Sequence, residues 1–150
     1  MKKQVFLRDA TYLDADMLLA WRNDPVTRSN SISEAMISSE KHLQWLNAVV
    51  DSPDSRLMIG YANNTAVGVV RLDWQSERDA ADISFTVAPE YRGQGYGFAL
   101  VQSALRDVRN ARVAAEVKMA NKASIRIFEQ LGFEMIDGQG ELLMYAKDFC

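Results

Sequence analysis

The stretch ISFTVAPEYRGQGYG, residues 83–97, decides how the rest of the chain is read. Its first five residues read as a strand. Its last six, Arg92-Gly93-Gln94-Gly95-Tyr96-Gly97, form a glycine-rich loop with one cation. Apolar residues then recur at helical spacing: Leu100, Val101, Ala104, Leu105 and Val108. A strand, a glycine loop and a helix together aim backbone N–H groups at a phosphate. The first turn of a helix has unpaired donors and a partial positive charge. Glycine lets a ligand approach the backbone where a Cβ would clash.

Two familiar phosphate loops fit poorly. A P-loop needs Gly-Lys-Ser/Thr, and no such tripeptide occurs. A dinucleotide fingerprint places Gly-x-Gly-x-x-Gly directly after the strand. Counted from Gly93 the third glycine position holds Phe98, and counted from Gly95 it holds Leu100. The glycines also start late, after Ala88-Pro89-Glu90-Tyr91. Glu116, about twenty residues on, is the one feature that suits a dinucleotide site. An ordinary surface turn with glycines is the plain alternative.

At 150 residues the chain is expected to be one domain, residues 1–150, large enough for a sizeable core. A net charge of −3 gives no global basic field for nucleic acid. No apolar run approaches membrane-spanning length, and MKKQVFLRDA lacks the apolar region of a signal peptide. One cysteine, Cys150, cannot form an internal disulfide, which suits the cytoplasm. One cysteine and one histidine exclude a cysteine–histidine metal site, so no metal is expected.

The flanking chain alternates strands and helices. Residues 5–8 read as a strand. Asp14 is expected to cap a helix carrying Met17, Leu18 and Trp21, stopped at Asn23-Asp24-Pro25. A polar segment follows, residues 27–31. A second helix starts near Ser38 or Ser39, with Leu43, Trp45, Leu46, Val49 and Val50 as its apolar positions, and ends at residues 51–54. Strands at residues 57–62 and 66–74 are joined by Asn63-Asn64, a pair that tolerates positive φ. A strand near residues 82–87 leads into the glycine loop. Residues 113–117 read as a strand and residues 121–131 as a helix ended by Gly132. Residues 133–136 and 142–146 read as closing strands.

Arg92, Gly95 and Gly97 fit the pattern Arg/Gln-x-x-Gly-x-Gly/Ala in register, and Ala88-Pro89-Glu90-Tyr91-Arg92-Gly93 resembles the usual approach to it. A second signature, NKASIRIFEQLGF from Asn121 to Phe133, resembles Asn-x-x-(Ala/Ser)-x-x-(Leu/Ile)-(Tyr/Phe)-x-x-x-Gly-Phe. Both motifs resemble those of the GNAT N-acetyltransferases, and the element order β-α-α-β-β-β-α-β-α-β-β extends the likeness over essentially the whole chain. The resemblance implies an α/β fold with a mixed, mostly antiparallel central sheet. That sheet is splayed between strands 4 and 5, with helices on both faces. It also implies acetyl transfer from acetyl-CoA, as cosubstrate, to an amine. A homodimer is compatible with it.

The resemblance further implies site roles. Backbone groups of Phe85, Thr86 and Val87 would pair with the pantetheine arm, and the Val87 amide would polarise the thioester carbonyl. Amides of Gly93, Gln94, Gly95, Tyr96 and Gly97 would hold the pyrophosphate, with Arg92 adding charge. Asn121 and Ser124 would contact the pantetheine arm and nearby cofactor groups. Glu116 matches a glutamate that some relatives use as general base; a salt bridge to Lys118, two residues on, is the alternative. Phe128 stands where many members place a tyrosine general acid, and it would pack against the cofactor arm or the core.

The stretches AWRNDP from Ala20 and SEKHLQWL from Ser39 resemble nucleotide-amino-sugar acetyltransferases of the PseH type. That likeness implies substrate contacts by Arg22 and His42. Arg71, inside a strand, is a third candidate phosphate contact. A packed ring for His42 and a solvated helix-end cation for Arg22 stay open as alternatives. The polar Arg28-Ser29-Asn30-Ser31 departs from that group, which commonly offers apolar groups to a deoxysugar. A protein N-terminal or side-chain amine acetyltransferase is the rival within the fold. A catalytically inactive acyl-CoA-binding regulator is the rival outside enzymes.

Overall fold

A computed structural model describes residues 3–150. Strands β1 (Phe6–Asp9), β2 (Ser55–Ala62), β3 (Thr65–Trp74), β4 (Ala80–Val87), β5 (Ala111–Lys118), β6 (Glu134–Gln139) and β7 (Leu142–Phe149) form one sheet. Its order is β1-β2-β3-β4-β5-β7-β6. Every pairing is antiparallel except β4 with β5, which is parallel. Helices α1 (Ala15–Asn23), α2 (Pro25–Asn30), α3 (Ser39–Asp51), α4 (Tyr96–Leu105) and α5 (Lys122–Gln130) fill the connections.

The β4–β5 seam positions the site. These strands pair only at Ala80 with Arg112, Ala81 with Val113 and Asp82 with Ala114. From Ile83 and Ala115 onward they diverge, as expected for the splayed sheet. Strand alternation sorts the side chains into two faces. Leu57, Arg71 and Ser84 are register partners on one face, joined by Ile59, Val69 and Thr86. Leu18, Trp21 and Leu46 of α1 and α3 cover that face. Met58, Val70, Ile83, Val113 and Val117 occupy the other face, beneath Leu100 and Val101 of α4 and Phe128 of α5.

Helix α4 lies close on the sheet because the sheet offers it glycines. A Cβ at Gly60 would sit 2.3 Å from Leu100 Cδ2, and one at Gly68 would sit 2.6 Å from Leu100 Cδ1. Leu100 fills that space and is fully buried. Truncating such a leucine to alanine costs about 2–5 kcal/mol.

Several boundaries differ from the sequence reading, each for a local reason. Residues 27–31, read as a polar segment, lie mostly in α2. The Asp24-Pro25 pair that ends α1 also starts α2. The Asp24 carboxylate accepts from the Val26 and Thr27 amides, and Pro25 occupies the first turn, where no amide is needed. Asp14 holds the N-cap position of α1 without capping it. Its carboxylate accepts from the Thr11 amide and the Arg8 guanidinium instead.

On α3, Ser38 caps the start, and the buried stripe is His42 and Leu46 with Val49 half-buried. Leu43, Trp45 and Val50, read as part of that stripe, are exposed. A histidine at a core position is invisible to a count of apolar residues. Asn63 and Asn64 make the β2–β3 turn at φ 51° and 66°, as their identity predicts. Among the described residues, no helix is long and apolar enough to cross a membrane.

Candidate active site

The seam between β4 and β5 opens into a cavity of about 410 Å³. Ser84, Phe85 and Thr86 of β4 form one wall, and Glu116 and Val117 of β5 the other. Asn121, the N-cap of α5, and Ser124 and Phe128 of that helix close one end. Trp21 and Arg22 of α1, His42 and Trp45 of α3, and Arg71 of β3 form the side away from α5. Nine of the residues expected from sequence therefore share one space: Arg22, His42, Arg71, Phe85, Thr86, Glu116, Asn121, Ser124 and Phe128. Val87 and the loop from Arg92 to Gly97 lie outside the cavity lining, at the adjoining start of α4.

The loop is built by backbone conformation. Gly93 and Gly95 have φ of 73° and 91°, a region costly for other residues. Gly95 is the N-cap of α4, and no side chain caps that helix. Gly97 packs against β4 and α5: a Cβ there would approach Ile127 Cδ1 to 2.9 Å and Phe85 Cε2 to 3.0 Å. Gln94 Nε2 donates to the Glu90 carbonyl at 3.3 Å. The Tyr96 ring meets Tyr91 edge-on, with centroids 5.9 Å apart. These residues fit a diphosphate: a helix start without a side-chain cap, glycines at positive φ at positions 93 and 95, open space where a Cβ of Gly93 would point, and no acidic side chain from Tyr91 to Gly97.

Arg92 is used differently from its expected place on the phosphate. Its Nη2 ion-pairs with Asp24 and donates to Thr27 Oγ1 at 2.9 Å. The glycine loop is thus tied to the N-cap of α2. Burial alone would raise the Asp24 carboxyl; Arg92 and the amides of Thr27 and Val26 overcome this and hold it below the usual carboxylate range.

Asn121 caps α5 by accepting from the Ser124 amide at 3.3 Å. Phe128 is buried between Phe85 and Phe133, with ring centroids 6.0 and 5.1 Å away. It offers no proton.

The Glu116 carboxylate, on an exposed residue, makes no hydrogen bond or ion pair among the described residues. The alternative of a pair with Lys118 is not what forms. Lys118 Nζ donates to the Ser29 carbonyl and to Glu34 Oε2, each at 2.8 Å.

The far wall is cationic and aromatic. Arg22 Nη2 donates to the Ser33 carbonyl at 3.0 Å, while its Nη1 is buried with no partner among the described residues. His42 is 3% exposed, as its packed reading required, yet it also lines the cavity. Burial, then the Arg22 charge, push its pKa below the ordinary histidine value, favouring the neutral imidazole. The Trp45 ring lies 5.3 Å from His42 and 5.6 Å from the Arg71 guanidinium. Arg71 Nε forms an ion pair with Asp73 at 2.8 Å without hydrogen-bond alignment.

Sequence reading missed the strap of residues 31–38, whose Ser31, Ile32, Ser33 and Ile37 complete the cavity. Asn23 secures it by pairing both backbone groups of Ile37 at 2.9 Å. It also missed Asp24 as the partner of Arg92, although Asp-Pro is a legible helix-start signal. Among the described residues, no three histidine, cysteine or acidic side chains could hold a metal ion.

The family model for the acetyltransferase (GNAT) family matches residues 16–133. A search of curated proteins finds no match. A spermidine N-acetyltransferase from Vibrio cholerae, solved with CoA and spermine, superposes with a TM-score of 0.85 at 18% identity. That match covers 97% of this chain and 95% of that one. RimL, an alpha-N-protein acetyltransferase solved with coenzyme A, gives 0.82 at 15% identity over 97% of this chain and 94% of that one. The yncA protein of Salmonella typhimurium, solved with acetyl-CoA, gives 0.78 at 19% identity over 99% and 95%. At these identities the structural matches speak to the fold; the family model covers most of the chain. The chain belongs to the acetyltransferase (GNAT) family and is an N-acetyltransferase.

Proposed function

We propose that this enzyme acetylates the primary amine of a nucleotide-linked amino sugar. Acetyl-CoA is the acyl donor. One observation carries the acceptor half. The cavity lined by Glu116 is also lined by Arg22 and Arg71, and among the described residues the Glu116 carboxylate is unpaired and Arg22 Nη1 is buried without a partner. A buried unpaired donor is costly, so the site gains by receiving an anion there. A diphosphate supplies one, and guanidinium groups suit it. A cationic polyamine, as seen with the Vibrio cholerae enzyme, would meet two guanidinium groups here.

The residues have the following roles in this reading. Amides of Gly93, Gln94, Gly95, Tyr96 and Gly97 hold the pyrophosphate. Phe85, Thr86, Asn121 and Ser124 border the pantetheine arm, and Phe128 packs beside it. Glu116 takes the proton that the amine must lose to attack, directly or through water. The Val87 amide donates to the carbonyl oxygen as the C–N bond forms and the C–S bond breaks. Phe128 has no hydroxyl, but a thiol of pKa about 8.5 leaves as thiolate without an acid. Arg22, His42 and Arg71 hold the nucleotide diphosphate.

Steady-state kinetics of Arg22→Ala test this. Losing a charge-assisted phosphate contact costs about 1.5–3 kcal/mol, so KM for the nucleotide sugar should rise about 10- to 150-fold. KM for acetyl-CoA should stay unchanged. An unchanged acceptor KM would remove the diphosphate from this wall.

A further inference from the structure

We propose that Glu34 is a positioning residue: together with the Ser29 carbonyl it holds the Lys118 ammonium away from Glu116, leaving that carboxylate unpaired. The inference rests on the reading of Glu116 as the base.

Glu116 and Lys118 project from the same face of β5, two residues and about 7 Å apart along the strand. A lysine chain spans that distance easily, so the two would pair if nothing intervened. The Lys118 ammonium is instead bound at 2.8 Å by both Ser29 O and Glu34 Oε2. The Lys118 side chain is only 13% exposed, whereas Glu34 is 66% exposed. Glu34 therefore reaches in from the strap to a partly buried cation. Arg28 lies close enough to Glu34 to reinforce its negative charge. The other charged or titratable groups of the cavity are Arg22, His42 and Arg71, on α1, α3 and β3.

The strap that carries Glu34 is seated by Arg22 on Ser33 O and by Asn23 on Ile37. A seated strap thus does two things at once. It walls the acceptor cavity, and it takes Lys118 out of reach of the base. Displacing it returns the ammonium to Glu116, where an ion pair would compete with proton abstraction.

The test compares kcat, with both substrates saturating, for Glu34→Gln, Glu34→Asp and the double variant Glu34→Gln/Lys118→Met. A competing pair at a partly exposed site is worth up to about 1 kcal/mol, so Glu34→Gln should lower kcat about two- to five-fold. Glu34→Asp should keep most of the activity, because it retains the charge. Adding Lys118→Met to Glu34→Gln should restore kcat, since the competing ammonium is gone. If Glu34 only braced the strap, removing Lys118 as well would leave kcat as low or lower, and that result overturns the proposal. An unchanged kcat in Glu34→Gln does the same. Glu116→Gln is measured alongside. If that variant is fully active, the base reading fails and takes this inference with it. If it is impaired while Glu34→Gln is normal, only the inference fails.

Discussion

The two ends of this site are made of different materials. At the α4 end the chain uses backbone: Gly93, Gly95 and Gly97, a helix start without a side-chain cap, and few side-chain contacts. At the α1–α3 end it uses side chains: two arginines, a buried histidine, a tryptophan and a strap hung on Asn23. Backbone recognition tolerates almost any residue between the glycines, and it suits a ligand part that does not vary. Side-chain recognition can be rewritten one residue at a time. In the proposed reading, the family-wide reaction belongs to the first region and the choice of amine to the second.

Substitutions should separate the two regions cleanly. The largest effect is expected at Gly95. Its φ is 91°, a conformation strained for any residue with a Cβ, and it stands at the N-cap of α4. Gly95→Trp should abolish detectable acetyl-CoA binding in calorimetry while the protein stays folded by circular dichroism. Unchanged affinity in a folded variant would mean that the cofactor lies elsewhere. At Glu116, on the strand facing both regions, Glu116→Gln should lower kcat about 10²–10⁴-fold, the usual range for a general base. Acetyl-CoA affinity should barely change, since the carboxylate lies in the acceptor cavity.

The smallest effect concerns the tie between the regions, Arg92 with Asp24. The Asp24 carboxyl is held below its ordinary value of 3.8 in the folded state. Its contribution to stability is therefore present above pH 3.8 and lost as pH falls through the lowered folded value. Asp24→Asn should lower the denaturation midpoint at pH 7 and shrink its loss on acidification to pH 3. A variant as acid-sensitive as the parent would assign that loss to other carboxylates, Asp14 with Arg8 foremost.

The same contrast governs how much the sequence revealed. Glycines at fixed spacing and a capped helix after a short strand are local signals. Arg92–Gly97 and Asn121–Phe133 could be read directly, and the order of strands followed. The acceptor wall depends on contacts between distant elements. Nothing near Arg92 shows that its guanidinium turns to Asp24, 68 residues earlier. Nothing near Lys118 shows that Glu34 draws it off Glu116, and i, i+2 spacing on a strand suggested the opposite pair. His42 could be read either as packed or as a contact. It is both, because the cavity is cut into the edge of the smaller core. Helix α2 was missed for a local reason: its polar residues hid a cap and a proline that were legible.

The central claim, that this cavity receives an amine carrying a diphosphate, is tested most directly by turnover. Purified enzyme with acetyl-CoA should be offered nucleotide-linked 4-amino sugars, the corresponding free amino sugars, peptides with free N-termini, and polyamines, with free thiol release as the readout. The account predicts the highest kcat/KM for a nucleotide-linked sugar and a large loss when the nucleotide is removed. Efficient acetylation of peptides or polyamines with inert nucleotide sugars would contradict it.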